Sequence, residues 1–88
     1  MLLRADGIEY EIEKKGDELI LNIYTHNLLN ESVVLQWLWT KEGVPKLVGI
    51  FPHNEQPTDY LGVSVSNLEE YSNFARKKFL EFEKKNQG

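Results

Sequence analysis

Val33-Val34-Leu35-Gln36-Trp37-Leu38-Trp39-Thr40 is the stretch on which the fold turns, because it can be read as helix or as strand. A helix started at Asn30 has a suitable N-cap, and Gly43 could end it. At about 100° per residue, however, Val33, Val34, Leu35, Trp37, Leu38 and Trp39 would point all round the axis, and a helix apolar on every side has no place in so small a chain. The same residues are β-branched and aromatic, which suits a pleated strand. Lys41-Glu42-Gly43-Val44-Pro45 then makes a hairpin loop into Lys46-Leu47-Val48-Gly49-Ile50-Phe51. The strand reading is the one adopted.

The neighbouring segments agree with it. Upstream, Ile8, Tyr10 and Ile12 alternate with Glu9, Glu11 and Glu13, the period-two pattern of a half-buried strand. Asp6-Gly7 before it is the pair favoured by a two-residue type I′ hairpin turn. Lys15-Gly16-Asp17 turns the chain into Leu19-Ile20-Leu21-Asn22-Ile23-Tyr24-Thr25, with Leu19, Leu21 and Ile23 on one face. Downstream, Tyr60 to Ser66 places Leu61, Val63 and Val65 on one side and reads as a last strand. Ser66-Asn67-Leu68-Glu69 has the form of a capping box. In the segment that follows, Leu68, Tyr71, Phe74, Ala75, Phe79 and Phe82 fall within an arc of about 140°, and Leu80 alone strays. The fold expected is α+β: an antiparallel β-meander of four to six strands with one C-terminal amphipathic helix on one face, a single domain over residues 1–88.

The composition narrows the classes of function. Of 88 residues, 41% are hydrophobic and 11% aromatic, enough for a packed core and too many for a disordered chain. The absence of cysteine removes disulfides, thiolate metal sites and thiol nucleophiles, and fits a reducing, cytoplasmic setting. No apolar run approaches the roughly 20 residues of a membrane helix. The net charge of −4 argues against nucleic acid, because binding to phosphates needs clustered Lys and Arg. Lys77, Lys78, Lys84 and Lys85 share a helix arc with Glu70 and Glu81, which reads as a salt-bridged solvent face.

Catalytic chemistry finds little to work with. His26 and His53 are far apart and in no metal-type pair, and no phosphate cradle, nucleophile elbow or cofactor motif occurs. The Glu9, Glu11 and Glu13 row is the ordinary wet side of a strand. His53, Glu55, Asp59 and Tyr60 lie in and beside the polar, proline-bounded stretch after Phe51, the natural place for a ligand-binding loop. On strict alternation the inner hairpin is apolar on both faces: Val33, Leu35, Trp37 and Trp39 oppose Val34 and Leu38, and Leu47 and Phe51 oppose Val48 and Ile50. The expectation is that Val33, Leu35, Trp37 and Trp39 form an apolar sheet face away from the helix. Such a face is buried against a second copy or another protein, or the sheet curls round a second core of its own. The function expected is therefore a non-catalytic binding module, a regulator or inhibitor. The alternatives are a homo-oligomer holding a nucleotide or metabolite between subunits, and a minimal enzyme built on His53 with Glu55 or Asp59.

Overall fold

Residues 33–39 are extended. The computed structural model describes residues 2–26, 30–52 and 67–86, and in it the chain makes five strands and a helix: β1 (Leu3–Ala5), β2 (Ile8–Lys15), β3 (Glu18–His26), β4 (Ser32–Trp39), β5 (Pro45–Pro52) and α1 (Leu68–Asn86). The strands form one antiparallel sheet in the order β1-β2-β3-β4-β5, each paired with its sequence neighbour, and α1 packs on one face. The expected strand at 60–66 and the Ser66 cap lie outside the described residues.

Local chemistry explains the hairpins. Ala5 pairs with Ile8 across the Asp6-Gly7 loop, whose φ values of 53° and 78° are both positive, as a type I′ turn requires. Lys15 pairs with Glu18 across Gly16-Asp17, where Gly16 at φ 62° takes the left-handed first position of a type II′ turn. In the β4–β5 loop the Gly43 amide donates to the Thr40 carbonyl at 3.1 Å, and the Thr40 hydroxyl donates to the Val44 carbonyl at 2.7 Å.

The register decides which side the helix covers. Leu21 stands opposite Trp37 and Ile23 opposite Leu35, while Tyr10 faces Ile23 and Ile12 faces Leu21 across the other hairpin. These pairings gather Tyr10, Leu19, Leu21, Ile23, Val33, Leu35 and Trp37 into one buried layer with Phe74, Ala75 and Phe79 of α1. Thus Val33, Leu35, Trp37 and Trp39 lie on the side that α1 covers, not on the side away from it. The reason is volume: pairing aligns them with the Leu19, Leu21 and Ile23 row, and the sheet's largest apolar surface is the one the helix must cover. Trp39 stacks on Phe79 with ring centroids 5.1 Å apart, and Tyr10 meets Phe74 edge-on at 5.3 Å. Aromatic pairs of this kind add about 0.5–1.5 kcal/mol beyond the area they bury.

A second departure from strict alternation occurs in β5. The register shifts between Gln36 and Trp37, so that Gly49 pairs with Gln36 and Leu47 with Trp37, leaving Val48 as the extra residue of a bulge. The bulge restores Leu47 and Ile50 to the same side, and both pack on the core. Phe51 falls on the opposite face with its register partner Val34.

Polar ties hold the helix at two places. The hydroxyls of Tyr71 and Thr25 are 2.7 Å apart, and the Arg76 Nε donates to the Gly43 carbonyl at 3.2 Å. The Asn67 carbonyl accepts the first helical hydrogen bond, from the Tyr71 amide at 3.1 Å. Leu68, one turn before Tyr71, remains exposed, as does Leu80.

Candidate functional site

With α1 on one face, the other face of the sheet is where a binding surface can be built. Alternation places Glu9, Glu11 and Glu13 of β2 there, then Ile20, Asn22 and Tyr24 of β3, Val34, Gln36 and Leu38 of β4, and Lys46, Gly49 and Phe51 of β5. The face is therefore divided, acidic along β2 and largely apolar along β4 and β5, with the exposed Lys46 opposite Leu38. Val34 is buried between its register neighbours Tyr24 and Phe51, whereas Ile20, Leu38 and Phe51 are half-buried. Val48, pushed out by the bulge, is 46% exposed. A Cβ added at Gly49 would stand 3.7 Å from the Phe51 ring, so that ring lies along its own strand over the glycine.

Two hydrogen bonds give this face fixed polar points. The Gln36 side-chain amide donates to Asn22 Oδ1 at 3.1 Å, mid-sheet, and the Tyr24 hydroxyl donates to Glu11 Oε1 at 2.8 Å. Burial first, then the hydrogen bond to Glu11 and the charges of Glu11 and Glu13, push the Tyr24 phenol up to about 12. The phenol therefore stays protonated near neutral pH, and Tyr24 serves here as a hydrogen-bond donor.

At one end of the sheet Arg4, Glu9, Tyr24, Thr25, His26 and Ser32 border a polar recess of about 360 Å³. His26 is exposed, and its Nε2 lies 3.5 Å from the Ser32 hydroxyl, at the limit of a hydrogen bond. Among the described residues no group of three or more His, Asp or Glu side chains could hold a metal ion. No helix among them is long and apolar enough to cross a membrane.

The residues singled out in the sequence separate into two sets. Val33, Leu35 and Trp37 are buried beneath α1, and Trp39 is part-buried against Phe79, at the margin of a cleft shared with Leu19 and Leu80. His53, Glu55, Asp59 and Tyr60 lie outside the described residues. Of the open-face residues, Leu38 and Phe51 were visible in the sequence as parts of an inner hairpin read as apolar on both faces, and the bulge at Val48 has no sequence signature here. No protein family, curated protein or solved structure matches this chain.

Proposed function

We propose that this protein is a non-catalytic protein-binding module that engages its partner through the β4–β5 half of the sheet face opposite α1. The observations that carry the reading are Leu38 and Phe51, half-buried on the side of the sheet that the helix leaves open, and the exposed Val48 at the bulge in β5. Apolar surface grouped in this way on a small protein marks contacts more often than chance. The flank formed by Glu9, Glu11 and Glu13 adds a preference: the complementary partner offers an apolar ridge with Lys or Arg along one side.

Val48→Asp tests this directly, because the residue is exposed at a bulge and a carboxylate there can be hydrated without disturbing the core. Light scattering on a concentration series should show a dimer or larger assembly that the variant loses if the partner is a second copy. If the wild type is monomeric, a foreign partner retained by wild-type bait should be lost with Val48→Asp bait. Identical behaviour of the two baits and the two concentration series would remove the open face as the binding surface.

A further inference from the structure

A different part of the surface carries an inference independent of the open sheet face. Where the last turns of α1 pass β1 and β2 on the covered side, a groove of about 520 Å³ remains. Leu3, Tyr10 and Ile12 from the strands and Phe82 from the helix make it apolar. Its helical rim carries Lys78, Lys84 and Lys85 with one carboxylate, Glu81. Glu81 is taken by Lys78, whose Nζ donates to Oε2 at 3.0 Å and stands 5.6 Å from the ring centroids of both Tyr10 and Phe74. Lys84 and Lys85 are exposed on the last turn. Lys14 follows Ile12 on the same face of β2, so this edge is basic although the chain as a whole carries a net charge of −4.

An apolar trough rimmed by ammonium groups is complementary to an alkyl chain ending in an anion. The volume falls in the range of small-molecule sites, about 300–1,000 Å³. We infer that the groove binds a medium-chain fatty acid, its tail along Leu3, Ile12 and Phe82 and its carboxylate at Lys84 and Lys85.

The test uses decanoate below its micelle concentration, titrated into the full chain and followed by amide chemical shifts and calorimetry. Saturable binding should move the amides of Leu3, Ile12 and Phe82. Affinity should rise about fourfold for each methylene added between hexanoate and decanoate, the ratio expected for burying a CH₂ group. Decanol, with the same tail and no charge, should bind at least fivefold more weakly. The double variant Lys84→Glu/Lys85→Glu, altered only at exposed positions, should lose at least fivefold in decanoate affinity while keeping that for decanol. Leu3→Asp, on the short edge strand, should weaken both ligands. Equal affinity for decanol and decanoate would overturn the assignment, as would shifts confined to the open sheet face, an affinity indifferent to chain length, or no saturable binding.

Discussion

Single residues here fall into groups that hold the core and groups that tune a surface. Trp37 belongs to the first: it is 4% exposed, and its indole Nε1 has no hydrogen-bond partner among the described residues. Trp37→Ala should cost about 3–5 kcal/mol by opening a large cavity. That is at least about a quarter of the roughly 4–13 kcal/mol available to a chain of this length, and urea unfolding should show a large fall in the midpoint. Trp37→Phe should be much milder, a loss of about 1 kcal/mol, because the smaller ring also removes a buried N–H whose lack of a partner itself costs about 1–3 kcal/mol. Tyr24 belongs to the second group. An unfolded tyrosine titrates near 10, whereas folding holds the Tyr24 proton to about 12. The folded state therefore binds that proton more tightly. The resulting stabilisation is complete below pH 10 and disappears as pH rises from about 10 to about 12. Tyrosinate absorbance should include a late-titrating phenol that Tyr24→Phe removes, and Glu11→Gln should bring it back toward 10 and shrink that alkaline loss of stability.

At the level of strands and turns, backbone conformation sets the expectations. Gly7 and Gly16 have φ of 78° and 62°, where an L side chain costs about 1–2 kcal/mol, so Gly7→Ala and Gly16→Ala should each lower the unfolding midpoint although neither site lacks room. Gly49 has no such φ, and its added Cβ would make ordinary contact with Phe51. Gly49→Ala should therefore stabilise by about 0.4–1 kcal/mol through the unfolded chain. Much of this architecture was legible in the sequence. Strict alternation in Ile8 to Glu13, the Asp6-Gly7 pair and the aromatic stripe of α1 are local signals, and each produced the element expected of it. The side of the sheet that the helix covers was not legible, because Val33, Leu35, Trp37 and Trp39 become the dominant layer only once register sets them beside Leu21 and Ile23. Nor was the bulge at Val48, since one extra residue in a run of apolar side chains leaves no mark on composition. The same two gaps account for the candidate site: its β2 flank followed from alternation, whereas its Val48 and Phe51 part required the register.

For the molecule as a whole, the two outer surfaces make separable demands. An assembly through the open face should respond to Val48→Asp and leave decanoate binding intact, and the groove should respond to Lys84→Glu/Lys85→Glu and leave assembly intact. Both rest on a core in which Phe79 is fully buried and stacked on Trp39. Phe79→Ala should cost about 3–5 kcal/mol. The sheet order, in which each described strand lies beside the one before it, bears on how that loss divides between the two directions of the reaction. Pairing neighbours in sequence closes short loops, each at small entropic cost, so the hairpins can form early and quickly. The helix follows the five strands in the order of the described elements, and the expectation is that it docks on strands already paired. Contacts made late in folding act mainly on the rate of opening, so Phe79→Ala should speed unfolding while leaving the refolding rate nearly unchanged. Stopped-flow fluorescence of the two tryptophans would read both rates, and a slowed refolding limb would instead place helix docking within the nucleus.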